Sequence, residues 1–261
     1  MFELTQEQIN TYTKNGFVKG GQLLSDSQVD ELRAELDRII AEKEATGESQ
    51  ALSVTNLSKT DSPVIQVVNI WMGSAAFRKV MMCDDLGKAA QQLMGSQDVR
   101  IWHDQIQYKP SQNGGVNMWH QDWPYWGILS GPTQVTAWVA LDDVDEGNGC
   151  MSMVPESQAW GNQIEFLHDL DNYNAMPESF EGNPIEVVPC PVKKGEVHFH
   201  HGLTWHGSHA NTSGRPRRAI AFHYMSEETC FVGSGDHTCK ALVDVGDGET
   251  LTGEYFPQVW P

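Results

Sequence analysis

No run of about 18 consecutive apolar residues occurs anywhere in the 261-residue chain, so no segment is expected to cross a membrane as a helix. The opening stretch MFELTQEQINTYTKNGF lacks the basic start and apolar centre of a secretory signal, and the expected location is the cytoplasm. Cysteine is sparse: Cys83, Cys150, Cys190, Cys230 and Cys239 form no Cys-x-x-Cys pair and are odd in number, which favours buried reduced thiols over a disulfide framework. Basic residues are scarce too. Seventeen Lys and Arg stand against 35 Asp and Glu, a formal charge of −18 that would repel a phosphate backbone and excludes nucleic acid as an expected partner. Only RPRR, residues 215–218, is densely basic. The acidic excess itself is read as solubility or a saline habitat and says little about a substrate.

What is present is an ordinary globular composition, 39% apolar and 20% charged, on a chain long enough for one large domain. Residues 5 to 15 read as a short helix opened by Thr5. A second helix begins at Ser25, where Ser25-x-x-Gln28 has the spacing of a capping box. There Val29, Leu32, Leu36, Ile39 and Ile40 recur at helical spacing and make one apolar face. VIQVVNIWM is predicted to be a buried strand, and a helix is predicted from about residue 75 to residue 94. From Val99 onward the texture changes to short β-rich runs separated by Gly, Pro, Asn and Asp, the pattern of an antiparallel double sheet. The expected fold is therefore mainly β, a jelly roll behind N-terminal and flanking helices. Its expected parts are a helical front of about residues 1–98, a core of about 99–226 and an extension of 227–261, all in a single domain.

NMWHQDWPYW places His120 and Asp122 two positions apart, which on an extended strand sets both side chains on one face about 7 Å apart. Downstream, LTWHGSHANTSGRPRRAI supplies His206, expected from a strand facing the first pair. Two histidines and one carboxylate are the donor set of non-haem Fe(II) oxygenases, which leave coordination positions open for a co-substrate and O2. Arg217, eleven residues after His206, is placed to return beside it on the next strand, where a guanidinium suits a carboxylate in a bidentate pair. Ser208, two residues from His206, is placed to add a hydroxyl.

WHQDW, then TAWVALDDVDEGNGCMSMVPESQ, then HGSHANTSGRPRRAI, together with the opening GFVKGGQLLSDSQVDELRAELDRI, resemble the phytanoyl-CoA dioxygenase family over most of the chain, to about residue 225. The resemblance implies a double-stranded β-helix that uses Fe(II), 2-oxoglutarate and O2 to hydroxylate a small molecule, releasing succinate and CO2. Position by position it implies His120, Asp122 and His206 as metal ligands, Arg217 and Ser208 as the grip on 2-oxoglutarate, and Trp138 and Gln105 beside the co-substrate. One departure is Glu156, standing after MVP where a small residue is usual, so that turn is expected to be shaped differently. Asp122 argues against a halogenase, which keeps a small residue there to leave room for chloride.

Other readings share these residues. His198, His200, His201, His206 and His209 crowd HFHHGLTWHGSH, and a different trio would suit a zinc-dependent hydrolase. On the oxygenase reading His201 is expected behind the ligands, hydrogen-bonding one of them. DDVDEG (142–147) and DVGDGE (244–249) lack calcium-loop spacing and read as turns. Trp119, Trp123, Tyr125 and Trp126 are core filler or the wall of a substrate pocket. The non-enzymatic alternative is a jelly-roll binding or sensing module. The absence of a second basic cluster favours a small metabolite over an acyl-CoA. Neither the substrate nor the oligomeric state is legible, and the loops of about 52–72, 123–131 and 157–184 are expected to shape the pocket.

Overall fold

The computed structural model describes residues 2–57, 61–111 and 113–261. Helices α1 (Gln6–Asn15) and α2 (Asp26–Thr46) open on Thr5 and Ser25, each closing a full capping box with Gln8 or Gln28, and each ends at a left-handed glycine, Gly16 or Gly47. The helix predicted for 75–94 is two, α3 (Ala75–Met81) and α4 (Asp84–Met94), because Cys83 is extended and α4 restarts on Asp84 and Asp85. A fifth short helix, α5, spans Ile164–His168.

The strands are β1 (Phe17–Gln22), β2 (Ser53–Asn56), β3 (Ile65–Val68), β4 (Val99–Lys109), β5 (Asn117–His120), β6 (Val135–Ala140), β7 (Met151–Met153), β8 (Ser179–Phe180), β9 (Asn183–Pro184), β10 (Val188–Cys190), β11 (Glu196–His201), β12 (His206–Ser208), β13 (Arg217–Ser226) and β14 (Gln258–Trp260). They form an eight-stranded sheet in the order β1-β11-β6-β13-β4-β3-β2, with β14 on β4, and a four-stranded sheet β10-β7-β12-β5. All pairings within these two sheets are antiparallel, as the short alternating runs require. VIQVVNIWM is half strand: β3 stops at Val68 because Asn69 turns left-handed (φ 53°) and the Asp104 carboxylate accepts from the Ile70 and Trp71 amides at 2.8 and 3.2 Å. Burial pushes the Asp104 carboxyl up to about 8, with those amides working against it.

The large sheet has two unlike faces. One packs Ile106, Ala137, Val139, Val197, Phe199, Ile220 and Phe222 under the helices, where Val29, Leu32, Leu36 and Ile39 of α2 are buried. Each fully buried Val, Leu, Ile or Phe side chain here contributes about 1.5–3 kcal/mol. The opposite face carries His103, Gln105, Thr136, Trp138, His200 and His223, all bordering the space between the sheets. Alternation thus separates a dry core from a polar interior.

Asp142 ties α2 to the large sheet. It accepts from Arg33 Nη2 at 2.6 Å and from the Arg218 backbone amide, Nε and Nη2 at 2.9, 3.0 and 3.0 Å. Two arginines of RPRR are paired within the chain, Arg218 here and Arg215 with Asp145 at the surface, at 2.7 Å. Asp142→Ala leaves the Arg33 and Arg218 guanidiniums poorly compensated and is expected to cost about 3 kcal/mol in urea unfolding.

Candidate active site

β12 lies between β5 and β7, and its register sets His206 directly opposite His120. The two histidines are therefore neighbours in one sheet, not on facing strands. Asp122 is not on the strand either. β5 ends at His120, and Asp122 adopts helical angles (φ −75°, ψ −49°) at the head of a short 3-10 turn, Trp123–Tyr125. That turn swings its carboxylate back, with Oδ1 3.7 Å from His120 Nε2 and 3.5 Å from His206 Nε2. One ligand atom from each of the three lies within 4.8 Å of the others, and among the described residues no other group of histidine, cysteine or carboxylate does this. His198 and His200 assemble no separate trio.

Neighbouring groups fix which atoms point inward. His120 Nδ1 donates to Met118 O at 2.7 Å and His206 Nδ1 to Thr204 O at 2.9 Å, so both Nε2 atoms present lone pairs. Asp122 Oδ2 accepts from Thr136 Oγ1 at 3.2 Å and from His200 Nε2 at 3.1 Å, leaving Oδ1 for the centre. The supporting histidine is His200 and not His201, whose Nδ1 accepts from the Leu203 amide at 3.0 Å; alternation along β11 turns His201 away. Burial pushes the His120 imidazole down to about 3, with His206 adding to it. Burial alone would raise the Asp122 carboxyl, but His206 and the His200 hydrogen bond outweigh it and hold the group well below the carboxylate range. On His206 burial opposes charge, and Asp122 reverses the balance to a net rise. Two imidazole nitrogens and one carboxylate oxygen, converging and individually oriented, fit a divalent iron with open positions.

Behind this trio lies a second feature. Arg217 is fully buried, its Nε and both Nη atoms have no hydrogen-bond partner, and it stands 4.9 Å from the centre of the Trp138 ring. Its register partner across β13 and β4 is Lys109, also buried, whose Nζ donates to Ser208 Oγ at 2.7 Å and to His209 O at 2.5 Å. Burial drives the Arg217 pKa down to about 10 and that of Lys109 well below its ordinary value, with Arg217 adding to the latter. Among the described residues the Arg217 guanidinium has no hydrogen-bond partner and Lys109 Nζ meets only hydroxyl and carbonyl oxygens, an arrangement whose chemistry suits an anion. Trp138, Ser208, Gln105, Asn117 and Ala221 line the space between this pair and the trio. His120, Asp122, His206, Ser208, Trp138 and Gln105 thus border one space, with Arg217 against Trp138, whereas His201 lies away from it. Lys109 was not foreseen, since only the β4–β13 register reveals it.

The space opens into a cleft of about 820 Å³ lined by Gln66, Gln105, Gln107, Met118, Trp119, Tyr125, Trp126 and His168, among others. Tyr125 and Trp126 are wall, whereas Trp119 is mostly core, 1% exposed and bonded to Tyr173 O at 2.8 Å. Parts of all three expected loops contribute. Asp236, His237 and Thr238 of the C-terminal extension also line the cleft, which the sequence did not suggest. Glu156, at φ 65°, takes the left-handed conformation that a glycine would favour and pairs with Lys14 at 3.7 Å, away from the trio.

Comparison with known proteins points to one family. The family model described as phytanoyl-CoA dioxygenase matches residues 12–219. An ectoine dioxygenase of Nocardia farcinica is 30% identical over 245 residues, covering 88% of this chain and 80% of that protein. The peroxisomal phytanoyl-CoA dioxygenase of Mus musculus is 27% identical, covering 86% and 69%. The crystal structure of a non-heme alpha ketoglutarate dependent carbocyclase from nogalamycin biosynthesis superposes with a TM-score of 0.79 at 25% identity, covering 98% and 96%. The chain belongs to the phytanoyl-CoA dioxygenase family and is an Fe(II)- and 2-oxoglutarate-dependent oxygenase with the jelly-roll fold.

Proposed function

We propose that His120, Asp122 and His206 hold the iron, that Arg217, Lys109 and Ser208 receive the far carboxylate of 2-oxoglutarate, and that the cleft admits a small-molecule substrate for hydroxylation. The observation that carries the reading is the orphaned guanidinium of Arg217, buried on the same side of the large sheet as a convergent three-ligand cluster. Iron with bound 2-oxoglutarate supplies the oxidation of a substrate C–H bond by O2, with release of succinate and CO2.

The chain's own part is positional. Thr136 and His200 hold Asp122 so that one oxygen faces the centre, and the Met118 and Thr204 carbonyls keep both imidazole lone pairs inward. Trp138 packs against the guanidinium, and Lys109 orients Ser208 while adding positive charge. Buried Trp126 and half-buried Trp123 flank the turn that carries Asp122 and limit water there. Trp138 and Gln105 wall the co-substrate's space.

The direct test is succinate formation from 2-oxoglutarate by protein reconstituted anaerobically with Fe(II) and then exposed to air. Iron-dependent succinate that disappears in Asp122→Ala supports the assignment; succinate persisting in that variant contradicts it. Metal affinity should also depend on pH through His206. Its pKa is raised above the ordinary 6.5, so its proton competes with metal below that raised value. Affinity measured by Mn(II) titration is expected to fall about tenfold per pH unit there and to level off above it. Arg217→Met removes an uncompensated buried charge. It is expected to raise the melting temperature of the ligand-free protein while abolishing the rise that 2-oxoglutarate gives the wild type, both read by thermal scanning.

A further inference from the structure

If iron and 2-oxoglutarate sit as proposed, the outer cleft belongs to the substrate, and its hydrogen-bonding polarity follows atom by atom. His103 Nδ1 lies 3.1 Å from Asp104 O, a carbonyl that only accepts, so Nδ1 carries the proton and Nε2 the lone pair. His223 Nδ1 lies 2.8 Å from Thr136 Oγ1, whose one proton is directed to Asp122. The hydroxyl must accept from His223, and Nε2 again holds a lone pair. His237 is the reverse: its Nδ1 accepts from the Cys239 amide at 3.1 Å, so Nε2 carries the proton. Burial keeps the three rings neutral, with His103 well below its ordinary value and the other two at about 4.

The His103 ring centre is 4.5 Å from that of His223 and 5.4 Å from that of His237, and all three residues line the cleft. His103 is 2% exposed and its Nε2 has no partner in the chain, so a buried acceptor awaits a donor. His237 is held in place. Lys240 Nζ donates to Gly233 O and Gly235 O at 2.8 and 2.7 Å, and Gly235 packs so close to Gly127 that a Cβ there would fall 1.8 Å from Gly127 O. Its ring also lies 4.9 Å from Trp102.

We propose that this imidazole wall recognises an uncharged, hydroxyl-rich substrate such as a sugar or a glycosylated molecule, whose hydroxyls donate to His103 and His223 Nε2 and accept from His237 Nε2. The mixture of two acceptors and one donor suits this class. A hydroxyl both gives and takes, whereas an ammonium cannot accept from His237. A phosphonate or an acyl-CoA phosphate meets no lysine or arginine among the described lining residues, and it meets exposed Asp236 instead. Tyr125, 49% exposed at the cleft, offers an aromatic surface that the C–H face of a sugar ring would cover. A cleft of about 820 Å³ has room for more than a single amino acid. His223 and His237 both lie beyond the 12–219 segment that the family model matches, so two of the three imidazoles come from outside it.

The test is ¹⁵N NMR of histidine-labelled protein, with zinc as the inert metal and 2-oxoglutarate present, titrated with methyl α-D-glucopyranoside and separately with methylphosphonate. The expected result is Nδ1–H on His103 and His223, Nε2–H on His237, and a shift of the His103 and His223 Nε2 resonances with glucoside only, His201 staying fixed. His237→Phe should bind the glucoside about fivefold more weakly with the other two tautomers unchanged. A reversed tautomer at His103 or His223, no glucoside-induced shift, or a response to methylphosphonate instead overturns the proposal. In the same samples, ¹³C-labelled 2-oxoglutarate reports the co-substrate by itself: lack of a bound signal counts against the Arg217 assignment, while the tautomers and the glucoside response are read independently.

Discussion

The ladder between β4 and β13 is the constraint on which the rest of the site depends. Its register pairs Arg217 with Lys109, Ala221 with Gln105 and His223 with His103 along one face of the large sheet. A single antiparallel pairing therefore lays out, in order, a cationic end, a cavity floor and an imidazole wall. The small side chains Ala219 and Ala221 between the polar residues leave the volume that a co-substrate needs, and the alternate positions Ile106, Ile220 and Phe222 anchor the ladder in the apolar core. A one-residue slip would exchange the two faces, placing cations in the core and phenylalanine in the cleft. The core thus enforces the register that the chemistry uses.

The ladder is irregular at one point, and that irregularity has a use. Pairing jumps from His223–His103 to Tyr224–Ile101, so Trp102 is an extra residue on β4. The bulge lets Trp102 join the cluster of Trp126, Ile128 and Phe256 behind the cleft while Ile101 returns to the main core. Trp102 stacks on Phe256 with ring centres 5.7 Å apart, which links the C-terminal extension to the wall it completes. The Arg217–Lys109 end shows the opposite economy. Two cations are held in a dry interior without a carboxylate, an arrangement that favours an anionic ligand because the fold itself gains nothing from it.

Much of this was legible in the sequence. The caps at Thr5 and Ser25, the apolar stripe of α2 and the alternation in VRIWHDQIQYK and RAIAFHYM each follow from local rules, whereas the donor set His120, Asp122 and His206 was read with the help of Arg217 and the family resemblance. What was not legible depends on pairing between distant strands. His120 and His206 were expected on facing strands because nothing local says that β12 inserts beside β5. Asp122 was expected on the strand because the turn at Trp123 begins one residue earlier than alternation suggests. Lys109 reads as a strand-end lysine until Arg217 is set opposite it. His201 was preferred to His200 although period-two alternation favours one of the two, because the face of β11 that meets the site is fixed only by its pairing with β6. The extension from residue 227 gave no periodic signal, yet it supplies Asp236, His237 and Thr238.

One site is proposed to hold iron and the chelating co-substrate together, with Arg217 gripping the far end. The most direct measurement is the visible charge-transfer absorption of the anaerobic Fe(II)-loaded protein during titration with 2-oxoglutarate. The expected result is a band that saturates at one equivalent in the wild type and that in Arg217→Met requires far more 2-oxoglutarate. Iron that binds without any such band, or a titration unaffected by loss of the guanidinium, would contradict it.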